Sequence, residues 1–269
     1  MRKALIYVRL FLSTAFTLIE GVVLIVDSHV HLKHGDVNRT EYSPEVIVYT
    51  MDAVGIDISV VFAMSTSTKR SIEMALEACR KFPNRLIPYV YAIPSFEKAV
   101  NDEIMDAVVN LGFKGIKVHA GEYTIAEYVI DPVIELAEKL EVPCLIDCVG
   151  RYSDVKRMAE KFPKAKIIVA HFGKYLSTDE KLIDQFINLA SMHENIYLDT
   201  SGVLLTHKIK EAVQKVGSNR IIFGTDGPHE EPDTVSFAKR ELEKIKALKL
   251  NPVDEENILG KNILRILKI

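Results

Sequence analysis

The amino-acid sequence predicts an α/β fold, and specifically a (β/α)8 TIM barrel. Three features of the chain lead to this prediction. Short β-branched runs alternate with helical segments, this strand–helix unit repeats about eight times, and most of the runs are continuously apolar. A continuous apolar run indicates a parallel strand that is buried on both faces. The alternative is an open doubly wound sheet, but no GxGxxG stretch follows the first predicted strand.

The strands and helices can be placed in order along the chain. Predicted strands begin at Val22, Asp57, Arg85, Phe113, Val142, Lys166, Asn195 and Arg220. Three of the segments between them carry residues that favour helix ends. The first has Ser43 as N-cap, Pro44 at the first helical position and Gly55 as its stop; the second begins with Asp131 and Pro132; the third has Ser177 or Thr178 as its cap.

The composition indicates one barrel that acts on a small molecule. A length of 269 residues suits a single barrel domain, and 48% hydrophobic residues allow a large core. A net charge of -3 gives no basic stripe, so we expect a small-molecule substrate and no nucleic-acid partner. The three cysteines form no CxxC pair, which indicates a reduced, cytoplasmic protein. The oligomeric state stays open, and a homo-oligomer is compatible with this composition.

Residues 1–21 form a predicted extension that precedes a barrel domain of residues 22–269. The extension has a basic start, and Arg9 and Glu20 bound its longest apolar stretch, LFLSTAFTLI. This stretch is shorter than the roughly 20 residues that a membrane-spanning helix needs, so we expect no membrane association. We interpret the extension as an extra terminal helix, or as upstream sequence misread as coding, with the true start near Val22 or Val23.

Polar residues that are suited to chemistry lie at the carboxyl ends of the predicted strands. They are His29 and His31 on the first strand, Lys117 and His119 on the fourth, Asp147 on the fifth, His171 on the sixth, Asp199 on the seventh and Asp226 on the eighth. In a TIM barrel these ends form the face on which active sites are built. We therefore expect these sequence-distant residues to converge on one mouth.

The pair His29 and His31 is the strongest sign of a metal site. Residues two positions apart on a strand point to the same face, and their Cα atoms lie about 6.6 Å apart. Two imidazoles at this spacing can bind one ion at about 2.0–2.1 Å from each nitrogen. Closure of the barrel brings Asp226 of the eighth strand next to this pair. A metal-bound water beside a carboxylate is an arrangement suited to hydrolysis.

The remaining polar residues allow more than one role. His171 can bind the metal, or can hydrogen-bond a developing oxyanion or leaving group. Lys117 can be a charged group that faces the substrate or a carbamylated bridge between two metals, and His119 points to the same face. Asp199 is either a helix N-cap or a carboxylate behind the metal ligands. His34 is interpreted as a solvated loop residue or at most a substrate contact, and His229 as a residue that borders the mouth or is solvated. His193 and His207 are interpreted as surface residues at helix ends.

Four motifs together resemble the amidohydrolase superfamily: HxH after the first strand, GIKVH on the fourth, IIVAHFG on the sixth and FGTDGP on the eighth. The resemblance runs from about Val22 to the C-terminus. It is strongest to the amidohydrolase-2 branch, which contains aminocarboxymuconate-semialdehyde decarboxylase, resorcylate decarboxylases and metal-dependent hydrolases. It implies that His29, His31 and Asp226 hold one divalent ion, usually zinc and sometimes manganese. His171 matches a histidine that acts in catalysis or at the metal, and Asp226 can accept a proton from the attacking water.

One position departs from the pattern of this superfamily. Members usually place a metal-binding histidine after the fifth strand, whereas the stretch VPCLID places Asp147 there. A carboxylate oxygen can bind zinc at about 2.0–2.2 Å, so we include Asp147 among the expected ligands. Two histidines with two aspartates favour harder ions such as manganese. Alternatively, the site is weakened or metal-free.

These residues predict a metal-dependent hydrolase in which an ion-activated water attacks an amide, ester or lactone carbonyl. We expect Lys117, His119 or Arg151 to pair with a carboxylate on the substrate. Two alternatives stay open: a metal-dependent non-oxidative decarboxylase of the same superfamily, and a barrel without catalysis that serves as a binding subunit.

Overall fold

The computed structural model describes residues 24–269 of the chain. The predicted extension over residues 1–21, with the first residues of the first predicted strand, lies outside the described residues. The boundary between extension and barrel therefore stays a prediction. Among residues 24–269, no helix combines the length and the apolar character that crossing a membrane requires.

Eight parallel strands form one sheet in which each strand pairs with its neighbours in sequence order. They are β1 (Val26–Lys33), β2 (Ile58–Ala63), β3 (Leu86–Tyr91), β4 (Gly115–His119), β5 (Cys144–Asp147), β6 (Ile167–Val169), β7 (Ile196–Asp199) and β8 (Ile221–Ile222). Parallel strands in this order, joined by helices, make a TIM barrel. The predicted fold class is confirmed.

Helices alternate with the strands along the described chain. They are α1 (Pro44–Val54), α2 (Thr68–Lys81), α3 (Asn101–Val109), α4 (Glu127–Lys139), α5 (Tyr152–Lys161), α6 (Glu180–Met192), α7 (Thr206–Val216), α8 (Thr234–Lys246), α9 (Pro252–Glu256) and α10 (Asn262–Leu267). A π-helical turn over Asn257–Lys261 joins α9 to α10.

Hydrogen bonds between β1 and the segment after β8 close the barrel. The backbone N–H of Asp226 donates to the carbonyl of His29 at 2.9 Å. The buried Asp27 carboxylate strengthens the closure, because it accepts from the Thr225 hydroxyl at 2.6 Å and from the Thr225 N–H at 2.9 Å. These contacts place Asp226 directly beside the first strand.

In β2, β3, β5 and β6, alternate apolar residues face two different clusters, as the two-residue period of a strand requires. Val61 of β2 belongs to the cluster shared with the helices. Phe62 of β2 and Tyr89 of β3 belong to the second cluster, which fills the barrel interior. Helix α10 covers the end of the barrel opposite the mouth, where the Asn262 amide donates to the carbonyl of Ile221 at 2.8 Å.

The predicted ends of the first helix are confirmed. The hydroxyl of Ser43 accepts a hydrogen bond from the N–H of Val46 at 3.4 Å, which caps α1. Gly55 ends the helix with a φ of 81°, a left-handed conformation that glycine adopts at little cost.

The predicted starts of two later helices are wrong. Helix α4 begins at Glu127, so Asp131 and Pro132 lie inside it. The buried Asp131 carboxylate instead accepts two hydrogen bonds from Arg157, at 2.9 and 2.7 Å. Helix α6 is capped by Asp179 rather than by Ser177 or Thr178: its carboxylate accepts from the N–H of Leu182 at 3.1 Å.

Candidate active site

His29, His31 and Asp226 meet at the mouth of the barrel. The Oδ1 atom of Asp226 lies 3.0 Å from His29 Nε2 and 2.9 Å from His31 Nε2. Both histidines are buried, and the Asp226 side chain is 13% exposed. The equal parity of the two histidines on β1 and the hydrogen-bonded closure of the barrel produce this arrangement. The end of β1 and the segment after β8 therefore come together at the mouth, as the sequence predicts.

The Nδ1 atoms of His171 and His29 face hydrogen-bond acceptors. These contacts orient both rings so that Nε2 points into the site. His171 Nδ1 lies 2.9 Å from the backbone carbonyl of Ser201, so Nδ1 carries the proton and donates it. His29 Nδ1 lies 3.3 Å from the Ser201 hydroxyl and 3.6 Å from Asp199. Acceptors of this kind behind a histidine leave its Nε2 lone pair free to bind a metal.

Asp199 lies behind the candidate metal ligand His29 and does not cap a helix. It is fully buried at the end of β7 and also accepts a hydrogen bond from the Ser201 hydroxyl. The residue that precedes α7 is Leu205, so the helix-cap interpretation is wrong. The other interpretation, a carboxylate behind the metal ligands, agrees with the contact to His29.

His171, Asp147 and His119 form a second line of contacts across β6, β5 and β4. Asp147 Oδ2 lies 3.4 Å from His171 Nε2 and 3.3 Å from His119 Nε2. The N–H of Gly121 donates to His119 Nδ1 at 3.0 Å, so the proton of the neutral His119 ring is on Nε2 and points to Asp147. His171 Nε2 also lies 3.9 Å from Asp226 Oδ1, which links this line to the first cluster.

The two predicted substrate-binding cations occupy very different places. Lys117 is buried, and its Nζ lies 3.2 Å from His29 Nε2 and 5.3 Å from the centre of the Phe62 ring. The amine therefore faces the metal-ligand cluster. Arg151 is exposed and pairs with Asp154 one turn further along the chain.

The remaining histidines divide into two groups. The expectation that His34 is solvated is wrong: it is buried, its Nε2 lies 2.6 Å from the Pro228 carbonyl, and its ring stacks on His31 with centroids 4.3 Å apart. His229 borders the mouth, with Nε2 at 3.9 Å from Asp226 Oδ2. His207 is exposed at the surface, as predicted, and His193 is the half-exposed residue that ends α6.

The charges at the mouth attract a cation. Burial disfavours a charged His171, but the carboxylates of Asp226 and Asp147 outweigh it and raise its pKa to about 9. Burial likewise disfavours a charged Asp226, but His171 and His29 outweigh it and hold the pKa of Asp226 well below its ordinary value. Burial lowers the pKa of the Lys117 amine. The site therefore stabilises positive charge among its carboxylates.

A divalent ion fits the residues that are present. Among residues 24–269, the ligand atoms of His29, His31 and Asp226 form a group within 4.8 Å of one another. Two ligands that bind one tetrahedral ion at 2.0–2.1 Å lie about 3.3 Å apart, close to the separations seen here. His29, His171 and Asp199 form a second compact group. These three side chains surround the Ser201 hydroxyl, which donates a hydrogen bond to Asp199. Asp147 is in neither group, and its role as a ligand stays a prediction.

The barrel and its histidine–aspartate donor set define a class of TIM-barrel enzymes that bind a metal at the strand ends. A family model described as "Amidohydrolase" matches residues 26–269. The chain belongs to this amidohydrolase family, in the amidohydrolase-2 branch, and the predicted resemblance is confirmed.

Curated proteins and solved structures that are similar to the chain include decarboxylases and a probable hydrolase. Gamma-resorcylate decarboxylase from Polaromonas sp. (strain JS666 / ATCC BAA-500) is 31% identical over 94 residues, which are 28% of this chain and 27% of that protein. The chain therefore matches about a quarter of the length of this relative. A probable 2-pyrone-4,6-dicarboxylic acid hydrolase from Acinetobacter baumannii has a TM-score of 0.71 and 14% identity, over 91% of this chain and 99% of the other.

Two further structures of the same fold contain metals. A dihydroxybenzoic acid decarboxylase from Polaromonas sp. JS666, with bound manganese and the inhibitor 2-nitroresorcinol, has a TM-score of 0.68 and 19% identity over 92% of this chain and 97% of that one. An amidohydrolase from Burkholderia multivorans with bound zinc has a TM-score of 0.71 and 14% identity, over 91% and 99% of the two chains. These structures share the barrel fold with the chain.

Proposed function

We propose that the chain is a metal-dependent decarboxylase that releases CO₂ from a small hydroxylated aromatic acid. The observation that carries the proposal is the compact His29, His31 and Asp226 group in a chain whose curated relative is a decarboxylase. The manganese-containing decarboxylase of the same fold supports it further. We thus favour the decarboxylase alternative over the hydrolase that the sequence alone placed first.

His29, His31 and Asp226 would hold the ion, with Asp147 as a further ligand, which leaves His171 Nε2 free to carry a proton. When bound there, a divalent ion would polarise and orient the oxygens of the substrate as a Lewis acid. The charge-rich surroundings at Asp226 and Asp147 favour either manganese or zinc, the metals present in the structures of the same fold.

Decarboxylation needs a proton donor beside the reacting carbon. The bond between the ring carbon and the carboxylate breaks, CO₂ leaves, and the electron pair on the carbon takes a proton. His171 Nε2 faces the site between Asp147 Oδ2 at 3.4 Å and Asp226 Oδ1 at 3.9 Å, and both carboxylates stabilise a proton on it. We assign that proton to the product carbon, where it stays; a second proton, taken from solvent and relayed along Asp226, then restores His171.

Lys117 and His119 are the groups we assign to the substrate oxygens. The buried amine of Lys117 adds positive charge beside the reacting groups, and the partly exposed His119 lies at the open side. The pairing of Arg151 with Asp154 at the surface favours these two residues over Arg151.

The experiment is a metal-dependent assay of CO₂ release. Purified chain loaded with Mn²⁺ or Zn²⁺ is given 2,6-dihydroxybenzoate, and CO₂ is measured. We expect release that chelation abolishes, that His29→Ala eliminates, and that the surface variant His207→Ala retains. Loaded protein that takes up one ion and releases no CO₂ from carboxylated phenols would contradict the proposal.

A hydrolase is the second candidate, since a probable pyrone dicarboxylic acid hydrolase shares the fold. Asp226, within the ligand group, is also placed to accept a proton from an attacking water. Ring opening of 2-pyrone-4,6-dicarboxylate without CO₂ release would favour this candidate. Membership of the enzyme family, with a complete donor group, favours both candidates over a barrel without catalysis.

A further inference from the structure

The loop after β6 places Tyr175 against the candidate active site. The Tyr175 ring meets the His171 ring nearly edge to face, with 5.0 Å between centroids and 67° between planes. Tyr175 is 37% exposed, whereas His171 is buried. One side of the tyrosine ring therefore contacts the site, and part of the side chain is exposed to solvent.

The backbone fixes the position of this ring. A Cβ atom at Gly202 would lie 2.4 Å from the Tyr175 ring, so only glycine leaves room for the ring beside the loop after β7. Gly202 also has a φ of 60°, which glycine adopts without strain. Next to the tyrosine, the N–H of Leu176 donates to the Gly202 carbonyl at 3.2 Å. The ring is therefore held in place before any ligand binds.

The loops that follow β5, β6 and β7 each carry an exposed apolar side chain. Leu176 is 47% exposed after β6, Leu204 is 51% exposed after β7, and Val149 is 46% exposed after β5. The loops after β5 and β6 are joined by a 2.7 Å hydrogen bond from the Gly150 N–H to the Gly173 carbonyl. Single exposed apolar residues are common, but a run of them on one side of a mouth indicates a ligand-contact surface.

The loops on the β1 side of the mouth carry polar groups instead. Lys33 pairs with Glu41 at 2.6 Å, and His229 is partly exposed beside Asp226. The mouth therefore has a polar side next to the metal-ligand group and an apolar side next to His171. A ligand that fits both sides carries charge or hydroxyl groups at one edge and a flat apolar face.

We propose that Tyr175 determines substrate specificity, because its ring forms the wall against which the aromatic ring of the substrate packs. The inference rests on the proposed function and names the part of the substrate that is selected. The reacting carboxylate then points to the group of His29, His31 and Asp226, and the ring lies along the tyrosine. An aliphatic acid lacks the flat face that gains from this contact.

The test is calorimetric binding of 2-nitroresorcinol and 2,6-dihydroxybenzoate to the Mn²⁺-loaded full chain. Tyr175→Leu should weaken binding of both about tenfold with unchanged metal content, since it keeps apolar volume and removes the aromatic ring. Tyr175→Phe should bind within about twofold of the wild type, because it keeps the ring. Tyr49→Leu is the matched control: this tyrosine is 67% exposed on α1, and its loss should leave binding unchanged.

The outcomes separate this inference from the proposed function. Equal affinity of Tyr175→Leu and wild type, or a Tyr175→Phe variant as weak as Tyr175→Leu, would overturn the role of the ring. Wild-type protein that binds neither aromatic probe would overturn the inference and the proposed function together. Tyr175-dependent binding without CO₂ release would support the aromatic wall and overturn decarboxylation alone.

Discussion

Asp226 Oδ1 lies 2.9 Å from His31 Nε2, although 195 positions of sequence separate the two residues. The contact exists because the first and last strands of the sheet meet, and the backbone N–H of Asp226 is itself bonded to β1 at the His29 carbonyl. The candidate metal site and the closure of the barrel are thus one structural feature.

Replacing Asp226 by asparagine should remove the ion and its stabilisation. The anionic oxygen that faces both histidines is lost, so the donor group drops to two neutral nitrogens. At a free ion concentration 100 times the Kd, binding adds about 2.7 kcal/mol to the free energy of unfolding of the wild type. Denaturation with and without Mn²⁺, together with elemental analysis, measures this increment. His207→Asn is the control, and an Asp226→Asn variant that retains one ion would exclude the proposed ligand.

His171→Asn should separate catalysis from metal binding. If His171 delivers the proton, kcat should fall by about 10²–10⁴ while the metal content stays at the wild-type level. Steady-state kinetics and metal analysis of the same preparation provide the answer. Loss of the ion with the loss of activity would instead make His171 a ligand. His193→Asn, at the end of α6, should change neither quantity.

Asp147→His should shift the preference of the site toward zinc. The variant restores the histidine usual in the superfamily and replaces a hard oxygen donor by a nitrogen. Dialysis against equal Zn²⁺ and Mn²⁺ should give a bound zinc-to-manganese ratio roughly tenfold above that of the wild type. Asp184→His, exposed on α6, is the matched control. An unchanged ratio would mean that Asp147 acts on His171 and His119 and does not bind the ion.

Thr225→Val should destabilise the closed barrel. The variant keeps the shape of the side chain but removes the 2.6 Å hydrogen bond to the buried Asp27 carboxylate. It also removes the acceptor of the Gly227 N–H, which lies 3.0 Å from the Thr225 hydroxyl. Burial raises the pKa of Asp27 to about 7, so the comparison is made above that pH, where the carboxylate is charged. Hydrogen bonds to charged groups contribute about 1.5–3 kcal/mol, so the free energy of unfolding in urea should fall by at least that amount. Thr225→Ser should retain most of the stability. Thr206→Val, at an exposed position on α7, should unfold at the wild-type urea concentration.

The parts of the site on regular strands were predictable from the sequence. The two-residue period of a strand put His29 and His31 on one face, and the order of the strands brought Asp226 to them. The sequence could not show that the loop after β1 folds back, which buries His34 between His31 and the Pro228 carbonyl. Loop residues have no periodicity, so the direction of their side chains depends on tertiary contacts.

Dependence on tertiary contacts also explains why the predicted starts of two helices are wrong. Asp131 with Pro132 has the residue pattern of a helix start, but Asp131 pairs with Arg157 of the next helix and lies inside α4. For α6, three successive residues can cap, and the contact from the Leu182 N–H selects Asp179. In such cases the local sequence is compatible with several helix starts, and tertiary packing determines which one forms.

The closure of the barrel by its two end strands also has a consequence during synthesis. A growing polypeptide carries His31 for 195 further residues before Asp226 is added, which takes about 10–40 s at ordinary rates of translation. A nascent or truncated product that lacks the last strand presents half of a binding site. The proposed ligand group is therefore complete only in a chain that has been synthesised as far as Asp226.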